Sequence, residues 1–354
     1  MLMLGAWFGK EKKPNFRTFL KPLAAQMNRL QHGFQVARPQ APPRVVSFRL
    51  LTFTADNPAK EDLGAYQSTA CGICQQAAQF VNNINGHATV PTFPWQQQPA
   101  PLRTRENIFA DAQLAHDSGN PSHGIKAPPP IVRFEGLDII QAIDYLHNFC
   151  LRVMSLLLAL WFSEDHRQKP FSRRARVGEF NGKMTDTRPP EFISRPPQSY
   201  SKIKYWKGVE YRNFLLYYGP VVLKGLIDDA QFDHFMLLSA GTAIFLGHSI
   251  TPQQRQLGQG MLNAFVQQFA GLYTARFMSK TVHSLIHIEL CVLKTGPLWT
   301  TSCFPYESIY HHLIQMINGT QYVLDQVSIS FSSQTRRGKK SIIIIIIIII
   351  IIIT

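Results

Sequence analysis

The pattern of apolar and polar positions predicts that the front part of the chain alternates strands and helices. Residues 2–9 are mostly apolar and predict a short strand. Apolar positions between residues 16 and 30 recur at the spacing of one helix face. The β-branched, apolar run from Val45 to Ala55 has the length of about one buried strand. Strand, helix and strand in this order predict an α/β sheet covered by helices.

The run that starts at Val45 ends on a single acid with two interpretations. Asp56 is followed at once by Asn57 and Pro58, and a proline suits the first turn of a helix. Asp56 is therefore either the N-cap of that helix or an acid at the end of a central strand, where α/β folds place their chemistry. The local pattern favours the cap.

Helical patterns dominate the rear part of the chain. Residues 138–162 are apolar nearly all round, which predicts a buried helix. The segment 166–208 is basic and rich in proline, which predicts a linker, and long amphipathic patterns follow it. The expected regions are an α/β part at 1–165, the linker at 166–208, a helical region at 209–330, and a disordered basic and polyisoleucine tail at 331–354.

Charge is the compositional feature that most narrows the function. Lys and Arg number 36 and Asp and Glu 22, so the 354-residue chain has a formal net charge of +14. This surplus favours a polyanionic partner such as nucleic acid.

Five cysteines in a chain this long do not form a disulfide framework, which favours a reducing compartment. The longest internal apolar run, 149–162, is too short to span a bilayer, so we expect no membrane partner.

Eight sequence blocks, read in order, resemble one family. They are GAWFGKEKKPNFRTFLKPL, TADNPAK, CGIC, PLRTRENIFADAQLA, HGIKAPPPIVRFEGLDII, IDYLH, KYWKGVEYRNFLLYYGPVVLKGL, and GPLWTTSCFPYE with the later INGT. Together they span roughly residues 2–325. They are similar to the transposase of animal CACTA (En/Spm-like) DNA transposons.

The resemblance implies an α/β, RNase H-like core with a mostly helical insertion and C-terminal region. Three acids on such a core hold two divalent metal ions such as Mg²⁺ for DNA strand cleavage and transfer. Asp56 matches the place of the second acid, and we favour Glu210 as the third. Glu307 is the alternative third acid. Without a catalytic role, Glu210 would complement a helix N-terminus and Glu307 would be a solvated loop residue.

The first acid of the family has no counterpart here. It belongs on the first strand of the fold, and the acid available before Asp56 is Glu11, in a charged turn. The resemblance therefore implies an incomplete RNase H-like core and an N-terminally truncated transposase. In such a chain Asp56 and Glu210 are relics, and strand-transfer activity is absent.

Two short-spaced pairs of residues predict a zinc site in region 1–165. Cys71 and Cys74 form a C-x-x-C motif, and Asp144 and His147 form a D-x-x-H motif. Thiolate, imidazole and carboxylate are all competent zinc ligands, and the family carries both pairs. The alternative is two buried free cysteines, with His147 a structural histidine.

A second candidate metal site lies in the rear part. His283 and His287 stand four residues apart and would share one helix face, where Cys291 could join them as a third ligand. Histidines on the apolar face of a helix are more often structural, so this site is the less favoured one.

The basic segment predicts contact with DNA. Residues 167–212 hold twelve Lys and Arg against four acids, with Tyr205 and other aromatic residues between them. Phosphate attraction with occasional base stacking is the nucleic-acid interpretation, and a solvated linker is the alternative. The candidate DNA-binding residues are Arg173, Arg174, Arg176, Lys202, Lys204 and Lys207.

The favoured function is a transposon-derived nuclear protein that binds DNA and does not transfer strands. Two alternatives are a metal-stabilised structural or interaction protein, and a nuclease that obtains its first acid from another chain or an upstream exon. A non-functional pseudogene product is a further alternative, favoured by the twelve isoleucines at 342–353. A homo-oligomer is compatible with each of them. Residues 336–340, RRGKK, are a weak nuclear-import motif.

Overall fold

Two compact units make up the chain, and each is built from separate stretches of sequence. The computed structural model describes residues 15–50, 52–82, 89–137, 142–191, 193, 195–315, 319, 322, 326 and 351–353. The first unit comprises Met1–Gln67, Thr104–Ala142 and Ser302–Thr354, and the second comprises Ser68–Arg103 and Ile143–Thr301. This division differs from the four consecutive regions predicted above, which stay a prediction, because composition along the chain carries no information about contacts between distant segments.

Helices form most of the structure, which is mixed α/β and 58% helical. The α-helices are α1 (Phe16–Phe19), α2 (Lys21–Gln31), α3 (Asn57–Leu63), α4 (Arg105–Ser118), α5 (Ser155–Phe162), α6 (Val177–Asp186), α7 (Gly208–Asn213), α8 (Gly219–Val222), α9 (Asp229–Phe245), α10 (Pro252–Tyr273), α11 (Lys280–His283), α12 (Ile288–Thr295) and α13 (Phe304–Gln315). Tighter 3-10 turns lie at Pro130–Arg133, Glu164–His166, Arg174–Arg176, Tyr200–Tyr205, Ala275–Phe277, Ser284–His287 and Leu298–Thr301, and wider π-helical segments at Leu146–Met154 and Phe214–Tyr218.

The described strands pair two by two rather than forming one broad sheet. They are β1 (Phe34–Arg38), β2 (Ala41–Val46), β3 (Phe48–Leu50), β4 (Gln79–Asn82), β5 (Thr89–Thr92) and β6 (Ile351–Ile353). The antiparallel pairs are β1 with β2, β3 with β6, and β4 with β5. The α/β class predicted from the sequence is thereby confirmed at its coarsest level, and an RNase H-like core stays a prediction.

The strand predicted from Val45 to Ala55 is shorter and interrupted in the structure. Strand β2 ends at Val46, β3 covers three residues, and Thr52–Thr54 are buried without being part of a strand. Burial alone explains the apolar pattern of this run, whereas strand pairing depends on partners that local sequence does not reveal. The strand predicted at residues 2–9 lies outside the described residues.

The core of the first unit forms where helices α1 and α2 cover the buried run that precedes α3. The Asn15 side chain accepts hydrogen bonds from the backbone N–H groups of Arg17 and Thr18 and so caps α1. The core comprises the apolar side chains of Phe16, Leu20, Ala24, Met27, Leu50, Phe53, Leu63, Ile131, Phe134 and Leu137. The predicted helix at 16–30 is therefore present, divided between α1 and α2.

Aromatic packing between helices forms the core of the second unit. The largest fully buried side chains there include Phe149, Trp161, Phe162, Phe180, Phe214, Phe235, Phe245, Phe265 and Tyr273. Helices α9 and α10 approach closely at Gly241 and Gly258, because a Cβ atom on Gly241 would meet the Gly258 carbonyl oxygen at 3.2 Å. Among the described helices, none combines the length and the apolar character that crossing a bilayer requires.

The segment 166–208, predicted as a linker, lies within the second unit. It contains helix α6, and the side chains of Phe171, Phe180 and Trp206 in this segment are buried. Its aromatic residues pack with the helical core: the Phe180 ring lies 4.7 Å from the Phe162 ring, centroid to centroid. Basic and proline-rich composition predicted a solvated linker, but spaced aromatic residues give this segment enough apolar area to fold.

Candidate metal centre

The C-x-x-C motif lies on a closed loop that leads into strand β4. The loop is fastened by backbone hydrogen bonds from Cys71 N to the Gln76 carbonyl at 3.0 Å and from Ala78 N to the Thr69 carbonyl at 2.8 Å. Within it, the Ile73 N–H donates to the Cys71 Sγ at 3.4 Å, and the backbone N–H of Gln76 donates to the Cys74 sulfur. Amide groups aimed at sulfur favour the thiolate form, which is the form that binds metals.

Arg103 holds this loop from the strand-like segment beside it. Its backbone N–H donates to the Ile73 carbonyl at 2.8 Å, and its Nε donates to the Cys71 carbonyl at 2.9 Å. The side chain is buried, and its positive charge opposes the rise in the pKa of Cys74 that the hydrogen bond with Cys71 and burial cause. Hydrogen bonds within the loop and from Arg103 thus hold the C-x-x-C motif in place without any contribution from a metal ion.

The two histidines come from a helical segment more than 200 residues further along the chain. The Ser279 hydroxyl accepts a hydrogen bond from the Val282 N–H and caps helix α11, which carries His283. The His283 ring stacks on Phe93, with 5.5 Å between ring centroids. His287 ends the 3-10 turn that follows α11.

Cys71, Cys74, His283 and His287 converge, and we call them the Cys2His2 cluster. Their four donor atoms all lie within 4.8 Å of one another, and all four residues are buried. The Nε2 atom of His283 is 3.4 Å from the Cys74 Sγ, and that of His287 is 3.7 Å from the Cys71 Sγ. A tetrahedral zinc with Zn–S of about 2.3 Å and Zn–N of about 2.0 Å has S···N edges of roughly 3.5 Å. The spacing of the cluster fits such an ion.

The electrostatics of the cluster shift the pKa values of the two cysteines in opposite directions. The hydrogen bond between the Cys71 and Cys74 side chains lowers the pKa of Cys71 and raises that of Cys74. Burial raises the pKa of both thiols, while hydrogen bonds from His283 and His287 further lower that of Cys71. The thiolate form is thereby favoured at Cys71, and it is the thiolate that binds a divalent cation.

Nitrogen and sulfur donors in a closed, buried set of four are typical of a structural zinc site. A catalytic zinc keeps a position open for water or substrate, whereas four protein ligands fill the tetrahedral shell. The Cys2His2 cluster could therefore hold a metal ion such as zinc. It offers no coordination position for a reacting molecule once all four ligands are engaged.

The structure brings together one half of the predicted ligand set, and metal binding by the other half stays a prediction. Cys71 and Cys74 belong to the cluster, but Asp144 and His147 do not. The Asp144 carboxylate instead accepts hydrogen bonds from the backbone N–H groups of Leu146 and His147, at 3.2 and 2.8 Å, and pairs with His147 Nδ1 at 2.5 Å. Asp144 thus caps the helical segment that starts at Leu146, which satisfies its charge locally.

The alternative metal site is corrected in the opposite way. His283 and His287 are cluster members, whereas Cys291, the third ligand suggested for them, is not. Cys291 is buried on helix α12, beyond the end of the 3-10 turn that carries His287. Each sequence pair was visible as a short motif, but nothing in the local spacing indicated that the two belong together.

The predicted catalytic acids occupy the ends of helices. Asp56 is exposed, and its Oδ1 accepts a hydrogen bond from the Ala59 N–H at 3.0 Å, so it is the N-cap of α3. Glu210 is buried in the first turn of α7, where it accepts from the Lys207 N–H at 2.8 Å and from Gln198 Nε2 at 2.5 Å. Glu307 is exposed in the first turn of α13 rather than in a loop. Asp56 and Glu210 thus have helix-capping partners, and a catalytic role for any of the three stays a prediction.

The arginines among the predicted DNA-binding residues form ion pairs within the second unit. Arg173 pairs with Asp228, and Arg174 pairs with Glu164 at 2.7 Å. Arg176 pairs with Glu179 at 2.7 Å, and its Nη1 also donates to the carbonyl oxygens of residues 225 and 226. These three side chains stabilise the fold. Their positive charges are partly neutralised, which weakens their attraction for phosphate groups.

The lysines among the predicted DNA-binding residues are exposed instead. Lys202, Lys204 and Lys207 lie in and just after the 3-10 turn Tyr200–Tyr205. The Lys204 Nζ lies 4.9 Å from the ring centroid of Tyr205, whose side chain is 64% exposed. Among the candidate DNA-binding residues, the exposed charge is therefore that of the lysines in and beside this turn.

Comparisons with protein-family models, with curated proteins and with solved structures found no match for this chain. The likeness to CACTA transposases consequently rests on the sequence blocks alone and stays a prediction.

Proposed function

We propose that this protein binds one Zn²⁺ through Cys71, Cys74, His283 and His287, and that the ion has a structural role in the second unit. The observation that carries the proposal is the convergence of four buried nitrogen and sulfur donors within 4.8 Å. All four are ligands that zinc prefers, and together they complete its shell.

The position of the Cys2His2 cluster explains what such an ion would do. The cysteines belong to the stretch Ser68–Arg103 and the histidines to Ile143–Thr301, which are the two separate stretches of the second unit. Zinc bound to all four residues would join them. Because a preformed site rarely exists in an unfolded chain, the free energy of zinc binding becomes folding free energy.

Metal analysis of protein purified without chelator tests this proposal. We expect about one equivalent of zinc, since four protein ligands hold a structural ion tightly. Replacing Cys71 and Cys74 with Ser should remove it. Cys291→Ala is the matched control, because Cys291 is also a buried cysteine of the same unit but lies outside the cluster. Retention of zinc by the double Ser variant would refute the assignment.

A second function is favoured by the exposed lysines of the turn Tyr200–Tyr205. Lys202, Lys204 and Lys207 present positive charge beside the exposed ring of Tyr205. We propose that this surface binds DNA without sequence preference, through phosphate attraction and aromatic stacking. The net charge of +14 supports the proposal.

The origin of the protein is part of the same proposal. The eight blocks that resemble CACTA transposases support a transposon-derived nuclear protein, and the capping roles of Asp56 and Glu210 support the absence of strand transfer. Incubation with supercoiled DNA and Mg²⁺ or Mn²⁺ tests this directly. We expect no nicking, whereas metal-dependent nicking that Asp56→Asn abolishes would contradict it.

A further inference from the structure

Gln259 is buried on helix α10 and inserts its side-chain amide into the segment that carries the two histidines. Its Oε1 accepts a hydrogen bond from the Glu289 N–H at 2.8 Å, and its Nε2 donates to the Leu285 carbonyl at 3.3 Å. The same Nε2 donates to the Asn263 Oδ1 at 2.7 Å. Both hydrogens of the amide and its oxygen are thereby engaged.

The two backbone groups that Gln259 contacts are the partners of one α-helical hydrogen bond. In an uninterrupted α-helix the N–H of Glu289 would donate to the carbonyl of Leu285, four residues earlier. Here the Leu285 carbonyl accepts from the Ile288 N–H in a tighter 3-10 turn, and the Glu289 N–H is taken by Gln259. A side chain inserted into the helical ladder in this way is a known cause of helix breaks.

The break lies at one of the two histidines. His287 has φ −104° and ψ 5°, outside the helical region, and separates the 3-10 turn from helix α12. Four residues turn the chain by about 400° in an α-helix and by about 480° in a 3-10 helix. The winding between His283 and His287 therefore decides the directions of their rings, which lie 5.2 Å apart at 79° to each other.

We propose that Gln259 is a positioning residue of the metal centre. By holding the break at His287, its amide sets the directions in which His283 and His287 present Nε2 to the two sulfurs. A regular helix through this segment would rotate one ring relative to the other and spoil the tetrahedral arrangement. The inference rests on the proposed zinc site and adds to it a residue whose hydrogen bonds go to Asn263, Leu285 and Glu289 rather than to the ligands.

Gln259→Met is the direct test, because methionine has a similar length and volume but offers neither the donor nor the acceptor. The full-length variant should bind zinc about 10–100-fold more weakly in competition with a chromophoric chelator, as is common when a residue that orients metal ligands is replaced. With Co²⁺ as probe, its visible ligand-field bands should weaken and shift relative to those of the wild type. Gln256→Leu, at an exposed glutamine of the same helix, is the matched control and should leave both readouts unchanged.

Gln259→Glu keeps the test decisive if the methionine variant does not fold. Glutamate retains the acceptor for the Glu289 N–H but loses the donor to the Leu285 carbonyl, so zinc affinity and the Co²⁺ bands should again change. Folded Gln259→Met or Gln259→Glu protein with wild-type zinc affinity and wild-type Co²⁺ bands would overturn the inference. Absence of zinc and cobalt binding in the wild type would instead refute the proposed function.

Discussion

The Nε2 atom of His283 lies 3.4 Å from the Sγ atom of Cys74, although 209 positions separate the two residues in the sequence. This contact and its neighbour between His287 and Cys71 bring together the loop that starts the second unit and the helical segment near its end. Closing so long a stretch of chain is entropically costly for a flexible polymer, so an ion at this point would stabilise the fold substantially.

The buried histidine on helix α9 predicts a loss of stability in mild acid. His234 is fully buried, and burial lowers its pKa from 6.5 to about 4. The unfolded chain takes up a proton at this residue before the folded chain does. Stability should therefore be independent of this residue above pH 6.5 and should fall as the pH drops from 6.5 towards 4, by about 3 kcal/mol in total.

Urea unfolding of metal-free protein between pH 4 and 7 measures this effect, and comparison with a His234 variant separates it from the titration of the other histidines. His234→Gln is neutral over the whole range and can still donate a hydrogen bond, so it should show a shallower loss of stability in acid. His248→Gln, at an exposed histidine, is the matched control. Equal slopes for His234→Gln and the wild type would show that His234 is not held neutral by burial.

Two glycines of helix α10 should respond to alanine in opposite ways. A Cβ atom on Gly258 would meet the Phe245 ring at 2.9 Å and the Ile244 side chain at 3.1 Å, so Gly258→Ala should destabilise by about 1–3 kcal/mol. A Cβ atom on Gly260 would meet nothing within 4 Å, so Gly260→Ala should stabilise by about 0.5–1 kcal/mol through helix propensity. Thermal unfolding of both variants checks the pair, and a neutral Gly258→Ala would mean that α9 and α10 are packed less closely than described.

Substitutions in the basic segment should affect either DNA binding or stability, depending on whether a lysine or an arginine is replaced. Replacing Lys202, Lys204 and Lys207 with Gln should reduce the slope of log affinity against log salt by up to about 2.7, since each phosphate contact contributes about 0.9. Replacing Arg176 with Gln should lower the stability instead, because its guanidinium donates to two backbone carbonyls of the second unit. Fluorescence anisotropy with a duplex at several salt concentrations measures the slopes, and a salt-independent affinity would remove the DNA proposal.

The sequence indicated the four ligand residues of the metal centre but not that they form one site. C-x-x-C and the histidine pair are short motifs that local inspection finds, and both were identified as candidate metal ligands. Their pairing depends on how the two stretches of the second unit fold together. The competing pair Asp144 and His147 has the same local appearance, and only the structure shows that Asp144 is engaged in capping a helix.

Helix ends and apolar periodicity were predicted better than strand pairing. Asp56 caps α3, as the local pattern favoured, because a cap needs only its own four residues. The run from Val45 to Ala55 was wrong as one strand, since pairing partners are distant. The segment 166–208 holds the buried rings of Phe171 and Phe180, which its charge and proline content did not indicate.

The measurement that tests the central claim most directly is X-ray absorption at the zinc edge of the purified full-length protein, together with that of His283→Ala and His147→Ala. The account predicts two sulfur ligands at about 2.3 Å and two nitrogen ligands at about 2.0–2.1 Å. His283→Ala should lose one nitrogen ligand or the metal, while His147→Ala should keep the wild-type spectrum. A shell without sulfur, or one that changes in His147→Ala and not in His283→Ala, would contradict the assignment of the Cys2His2 cluster as the zinc site.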